Sequence, residues 1–140
     1  MTPQQVGEVQ ASFAKVAPIA DQAAALFYGR LFETAPETRA LFSGDMAAQG
    51  QKLMAAIATV VNNLGEIEAV IPAVQELAKR HLAYGVRPEH YEVVGAALLW
   101  TLERGLGDGF TPEVGAAWAA AYGALSEVMI TAAYVGSTDV

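Results

Sequence analysis

Residues 74–86 read VQELAKRHLAYGV, a segment in which an apolar stripe ends in an imidazole. Val74, Leu77 and Ala78 recur at the spacing of one helix face, and His81 lies one turn further along that face. The chain has only two histidines and no cysteine, so this imidazole is a scarce group. The segment predicts a helix with one titratable side chain at the end of its inward face.

The preceding helical segment shows a similar arrangement. Over residues 46–64 the apolar residues form one stripe at helical spacing, namely Leu53, Ile57, Val60, Val61 and Leu64. Extending that stripe backwards by one turn reaches Gln49. Two consecutive helices are therefore each expected to place one polar side chain on an inward face.

The rest of the chain is also predicted to be helical. Alanine is abundant, and β-branched residues do not alternate with polar ones over any long stretch, which favours helix over strand. Prolines near hydroxyl residues, at Thr2-Pro3, Thr34-Ala35-Pro36 and Thr111-Pro112, mark helix starts. We predict helices at 3–17, 19–34, 36–42, 46–64, 71–82, 88–105 and 112–134. Together they form a single all-α domain that spans residues 1–140.

Composition and charge narrow the possible partners. Of the 140 residues 54% are hydrophobic and 16% are charged, which suits one domain with a buried core. The formal net charge of −7 disfavours binding to nucleic acid or to an anionic membrane surface. The most apolar run, from Val114 to Ser126, is short for a membrane span, and the N-terminus lacks the pattern of a signal peptide. We expect a soluble, cytoplasmic protein.

His81 alone leaves two interpretations open. A core histidine can hydrogen-bond a carbonyl or act as a cation near a helix C-terminus, with no ligand involved. Alternatively, the imidazole binds a metal. A site built from protein ligands alone is poorly supported, because the chain has no cysteine, no second histidine on this face and no Glu-x-x-His pairs. Haem needs only one axial ligand and an apolar slot, so it is the metal cofactor best matched to one inward histidine.

Several segments, taken together and in order, resemble the globin family. They are LFYGRLFETAPETRALF at 26–42, QGQKLMAAI at 49–57, LAKRHLAYGV at 77–86, HYEVVGAALLWTLERGLGDGFTPE at 90–113 and AWAAAYGAL at 117–125. The chain is similar to bacterial single-domain haemoglobins and to the haem domain of flavohaemoglobins, and more loosely to neuroglobin. The resemblance implies a globin fold, with helices packed around a pocket for haem b (iron protoporphyrin IX).

The resemblance also implies roles for individual residues. His81 corresponds to the proximal iron ligand. On the distal side, where gases bind, Tyr28 and Gln49 correspond to hydrogen-bond donors and Leu53 to the residue that crowds the ligand. The other residues expected to contact the haem are Phe42, Lys52, Ile57, Leu77, Arg80, Val86, Tyr91 and Val94. Of these, the two cationic residues are candidates to meet the propionates. Judged without the resemblance, the Tyr28 hydroxyl could lie in water and Gln49 could be exposed at the first turn of its helix. Lys52 and Arg80 could be solvated surface charges even if haem is bound.

Two departures from the flavohaemoglobin pattern bear on activity. The segment 43–48 is shorter than in that family, so Gln49 is placed from the motif that follows it. The family also joins its proximal histidine to a tyrosine–glutamate relay. Tyr91 supplies the tyrosine, but the glutamate position falls near Ala133, and Glu127 is out of register. Because a carboxylate on the proximal imidazole promotes activation of dioxygen, its absence favours gas binding over peroxidase-like chemistry.

We therefore expect a haem protein that binds dioxygen reversibly, for storage, transport or delivery, and that also binds carbon monoxide and nitric oxide. The alternative is a nitric oxide dioxygenase. We expect no flavin or nicotinamide domain after Val140, so this enzyme would need a separate reductase. A helical module without a cofactor is a third interpretation. Gly115, Ala119 and Gly123 share one helix face and fit either a dimer contact or close packing within the fold, so we expect a monomer or a homodimer.

Overall fold

A computed structural model describes residues 2–42, 44–83 and 86–132 of the chain. Within these ranges the regular structure is helical and no strand occurs. The α-helices are α1 Pro3–Val16, α2 Ala20–Thr34, α3 Met46–Asn62, α4 Ile71–Ala83, α5 Pro88–Leu106 and α6 Pro112–Ile130. Short 3-10 helices occupy Ala17–Ile19, Pro36–Leu41, Leu64–Ala69 and Gly107–Gly109. The all-α prediction is confirmed.

N-cap side chains explain the starts of α1, α3 and α6. The Thr2 hydroxyl accepts a hydrogen bond from the Gln5 backbone N–H at 3.1 Å, and the Gln5 amide oxygen accepts one from the Thr2 N–H at 3.0 Å. The Thr111 hydroxyl accepts from the Val114 N–H at 3.2 Å. Thr34 is different, because its hydroxyl donates back to the Arg30 carbonyl at 3.0 Å and caps no helix.

Three predicted helix bounds need correction. The segment predicted as a helix at 36–42 is a six-residue 3-10 helix, and Phe42 has extended backbone with φ −115° and ψ 132°. Helix α3 ends at Asn62 rather than 64, because the Asn63 side-chain amide donates to the Thr59 carbonyl at 2.7 Å and satisfies the last turn. Helix α6 ends at Ile130, and residues 133–134 of the predicted range lie outside the described residues.

The buried residues form three clusters. The basal cluster joins α1 to α6 and comprises Val9, Phe13, Val16, Ala23, Val61, Leu102, Val114, Ala117 and Trp118. The α4 cluster comprises Val70, Val74, Ala78, Tyr91 and Met129. The α2 cluster comprises Phe27, Tyr28, Leu31 and Ala97. The basal cluster is pinned by one buried polar contact, in which the Trp118 indole N–H donates to the Ser12 hydroxyl at 2.8 Å.

Two further predictions concern the C-terminal helices. No helix of the described residues is long and apolar enough to span a membrane. On the small-residue face of α6, a Cβ added to Gly115 would lie 3.1 Å from the Phe110 ring, so this glycine is packed within the chain. Ala119 and Gly123 are exposed.

Candidate functional site

The helices that carry Gln49 and His81 pack against different neighbouring helices. Helix α3 packs on α2 and α1, whereas α4 packs on α6. Helices α3 and α5 each contribute side chains to both the α2 cluster and the α4 cluster, so these two helices connect the two clusters. Several large apolar residues of α3, α4 and α5 are only half-buried, namely Leu53, Ile57, Val60, Leu77, Val94 and Leu98. Such a group of incompletely covered apolar side chains suits an apolar ligand.

His81 lies at the end of α4 and is half-buried. Its Nδ1 atom is 2.8 Å from the carbonyl oxygen of Leu77, one turn earlier in the same helix. A carbonyl oxygen can only accept, so Nδ1 carries the proton and, in the neutral ring, the lone pair resides on Nε2. This is how a metal-binding imidazole is commonly oriented. The same bond would also orient a purely structural histidine, so geometry alone does not decide between the two roles.

The second histidine has a different role. The His90 Nδ1 atom accepts a hydrogen bond from the Arg87 backbone N–H at 2.9 Å, at the start of α5. Its Nδ1 is therefore unprotonated, the reverse of His81, and the ring satisfies one of the N–H groups that a helix start leaves without an intrahelical partner. His90 caps a helix, and His81 remains the candidate metal ligand.

Tyr28 is buried in α2, with only 7% of its surface exposed. Its ring makes edge contacts with Phe27 and Phe42, at centroid distances of 5.0 and 5.3 Å, and stacks on Phe32 at 5.9 Å. Burial raises the pKa of the Tyr28 hydroxyl above its ordinary value, and a side-chain hydrogen bond with Gln49 lowers that pKa in part. The hydroxyl therefore stays protonated at neutral pH and can donate.

The structure brings several predicted site residues together. Phe42, Leu53 and Val94 pack against the α2 cluster, which contains Tyr28. Leu77 and Val86 pack against the α4 cluster, which contains Tyr91. The predicted residues thus divide between the α2 cluster and the α4 cluster, and His81 lies on α4.

Three predicted haem contacts do not pack against the α2 or α4 cluster. Ile57 packs against the basal cluster, on the inner side of α3, rather than against the α2 or α4 cluster. Lys52 and Arg80 are exposed, and within the described residues no ion pair involves either of them. Their exposure agrees with the possibility, raised above, that both charges are simply solvated.

Some residues at the site were not anticipated. Phe32, Met46 and Val93 also pack against the α2 cluster. The Tyr122 hydroxyl donates to the Tyr91 carbonyl at 2.6 Å, which ties α6 to the start of α5. The spacing of apolar residues in α2 could have revealed the first group in part. No local pattern predicts a bond between residues 31 positions apart in the chain.

The structure does not test the prediction that the glutamate of the tyrosine–glutamate relay is absent, because Ala133 lies outside the described residues. Glu127 is exposed on α6. Within the described ranges no group of three or more histidine, aspartate or glutamate residues could hold a metal ion.

An all-helical fold with one oriented imidazole on one wall and a buried tyrosine on the other has the features of a helical haem protein. The globin family model matches residues 25–129. Similar curated proteins are flavohemoproteins from Bordetella parapertussis, Rhodopirellula baltica and Bacillus subtilis, at 38%, 36% and 33% identity over 107 residues each. Each match covers 74% of this chain but only 26–27% of the relative, so the chain spans about a quarter of their length. The chain belongs to the globin family, and as a globin it binds haem.

Proposed function

We propose that this globin binds dioxygen reversibly, with Tyr28 and Gln49 as the donors that hold the gas. The observation that carries the proposal is the burial of Tyr28 within an apolar cluster, which raises the pKa of its hydroxyl and keeps it protonated at neutral pH. When bound, haem b supplies an iron that takes a diatomic gas, and the protein supplies one axial ligand and the surroundings.

On the proximal side, His81 is the proposed iron ligand. The Leu77 carbonyl accepts from Nδ1 at 2.8 Å and so keeps the ring in the tautomer whose Nε2 can bind a metal. The proposed apolar contacts to the porphyrin are Phe42, Leu53, Ile57, Leu77, Val86, Tyr91 and Val94. These side chains would exclude water from both faces. Lys52 and Arg80 are the proposed partners of the propionates, because carboxylates at a pocket rim need cations that reach solvent.

On the distal side, the two donors distinguish between gases. Dioxygen held at the site is strongly polarised and gains a charge-assisted hydrogen bond from the Tyr28 hydroxyl or from the Gln49 amide. Carbon monoxide is less polarised and gains less. Leu53 limits the space beside the gas. These properties predict tight oxygen binding with slow release. Nitric oxide is also expected to bind at the same site.

The second candidate function is nitric oxide dioxygenation. It is favoured by the likeness to flavohemoproteins, whose name denotes a flavin together with haem. This globin would then draw electrons from a separate reductase. The two functions share one site and differ in whether the iron is re-reduced quickly after each reaction.

Two measurements on the haem-loaded protein separate these functions. Stopped-flow release of dioxygen should be slow, and with reductant present nitric oxide should be consumed at about one slow turnover per haem. Sustained turnover at a rate set by an added reductase would instead support the dioxygenase. Fast oxygen release together with no nitric oxide consumption would contradict both.

A further inference from the structure

Phe32 lies one turn after Tyr28 on α2 and contacts three other side chains. Its ring stacks on that of Tyr28, with centroids 5.9 Å apart and an angle of 27° between the planes. It meets the Phe42 ring edge-on at 5.6 Å, and the Cζ atom of Arg39 lies 5.1 Å from its centre. We call Tyr28, Phe32, Arg39 and Phe42 the Phe32 cluster.

The Phe32 cluster joins α2 to the segment that follows it. Arg39 lies in the 3-10 helix after α2, and Phe42 comes directly after that helix. The Phe42 N–H donates to the Arg39 carbonyl at 3.1 Å, which fixes these two residues relative to each other. The buried Thr38 hydroxyl donates to the Ala35 carbonyl at 2.7 Å and ties the segment to the end of α2. The contacts of the cluster are therefore supported by the backbone on both sides.

The stacked ring restrains the part of Tyr28 that can donate. The hydroxyl oxygen is at the far end of the side chain, so a small tilt of the ring displaces it more than any other atom. Hydrogen bonds weaken steeply when their angle or length departs from the preferred values. Phe27 and Phe42 meet the Tyr28 ring at steep angles of 76° and 74°, whereas Phe32 lies nearly parallel to it. Phe32 is therefore the neighbour that opposes tilting of the Tyr28 ring out of its own plane.

Phe32 is itself restrained by a cation. The Phe32 ring is half-buried and Arg39 is exposed, so the guanidinium group approaches the ring from the solvent side. A cation over an aromatic face is attracted to it even at an exposed site, although the effect is then modest. Neither residue is among the predicted haem contacts.

We propose that Phe32, restrained by Arg39, is a positioning residue that directs the Tyr28 hydroxyl and so sets how strongly this globin prefers dioxygen to carbon monoxide. The inference rests on the proposed function, in which Tyr28 donates to the bound gas. Phe32 acts on the gas through Tyr28 alone. A phenylalanine that only filled space would contribute to stability and would leave the preference between the two gases unchanged.

The first test is Phe32→Leu in the haem-loaded protein, which keeps an apolar side chain and removes the stacked ring. Dioxygen dissociation should be about fivefold faster, because the Tyr28 hydrogen bond is weakened but not lost. Carbon monoxide dissociation should change less than about twofold. The matched control Phe110→Leu removes the same ring from a half-buried position against the basal cluster, and it should alter neither rate. Melting curves show that both variants are folded.

A double variant separates positioning from packing. In Tyr28→Phe there is no hydroxyl to direct, so adding Phe32→Leu should change dioxygen dissociation by less than about twofold. The carbon monoxide complex gives a second readout that does not depend on rates. A hydrogen-bond donor near the bound gas lowers the C–O stretching frequency. That frequency should therefore rise in Phe32→Leu, towards its value in Tyr28→Phe, and stay unchanged in Phe110→Leu.

Arg39→Met gives a test from the surface, which remains available if Phe32→Leu does not fold. It removes the cation over Phe32 and should speed dioxygen dissociation by about two- to threefold. The matched control Arg104→Met removes a cation 4.8 Å from the centre of the Trp100 ring and should not change that rate.

Three results would overturn the proposal. They are equal acceleration of both gases in Phe32→Leu, an effect of the same size in the Tyr28→Phe background, and unchanged dioxygen release in both Phe32→Leu and Arg39→Met. A failed donor assignment is recognised separately, because Tyr28→Phe alone would then leave dioxygen release unchanged. A failed haem function is recognised by a missing Soret band. Either of these two failures also removes the basis of the inference.

Discussion

Replacing Tyr28 with phenylalanine removes one hydroxyl and leaves the packing in place. The ring contacts with Phe27, Phe32 and Phe42, at 5.0 to 5.9 Å, involve only carbon atoms of Tyr28. The hydroxyl is in the α2 cluster, its pKa is raised by burial, and its hydrogen-bonding partner is Gln49. Tyr28→Phe therefore tests the donor and little else.

The magnitude follows from one charge-assisted hydrogen bond. Such a bond contributes about 1.5–3 kcal/mol, so its loss should speed oxygen dissociation by about 10- to 150-fold. Carbon monoxide dissociation should change less than about threefold, because that gas is weakly polarised. Because burial raises the pKa of the Tyr28 hydroxyl above its ordinary value, oxygen dissociation in the unmodified protein should be independent of pH from neutral pH to about pH 9.

The assay is stopped-flow displacement of each gas from Tyr28→Phe, Gln49→Leu and the double variant. Since the two side chains interact, we expect the double variant to differ from the product of the single effects. Equal acceleration of oxygen and carbon monoxide release, or no change in either, would refute the assignment of these residues as donors to the gas.

Three further predictions concern stability. Gly95→Ala should lower the melting temperature by roughly 3–10 °C, because its Cβ would lie 2.6 Å from the Tyr122 ring. In Gly29→Ala, with no atom within 4 Å of the new Cβ, the melting temperature should not fall, and a fall equal to that of Gly95→Ala would contradict the packing argument. Burial raises the pKa of Tyr122 far above 10.0, so the free energy of unfolding should decrease as pH rises above about 10, when the unfolded tyrosine ionises. Tyr122→Phe should flatten that decrease in urea titrations, and an unchanged slope would count against it. Gln10→Met removes a 3.0 Å hydrogen bond from the Gln10 amide to the Val61 carbonyl near the end of α3, and should cost about 0.5–1.5 kcal/mol in urea unfolding. A loss below the error of that measurement would show that water replaces the bond.

The helices could be predicted from local signals because those signals act over a few residues. Proline and hydroxyl residues at Thr2-Pro3 and Thr111-Pro112 mark starts that the structure confirms. The prediction that the Thr34 hydroxyl marks a helix start is wrong, because a hydroxyl before a proline can cap the next helix or bond back to the preceding turn. The sequence does not show which of these two bonds forms.

The site could be predicted only in part. Periodicity placed Gln49 on the same helix face as Leu53, and His81 on the same face as Leu77, because helix geometry determines which side chains share a face. It did not show that Tyr28 is buried, since burial depends on which helices cross above α2. Contacts such as Trp118 with Ser12, which are 106 positions apart, have no local signal at all.

The two histidines offer the most direct test of the haem site. Haemin is titrated into the haem-free forms of the unmodified protein, His81→Ala and His90→Ala, and the Soret band is followed. The account predicts that His81→Ala loses most of its haem affinity, whereas His90→Ala, which removes only a helix cap, binds one haem as the unmodified protein does. Full haem content and an unchanged ferrous spectrum in His81→Ala would contradict it.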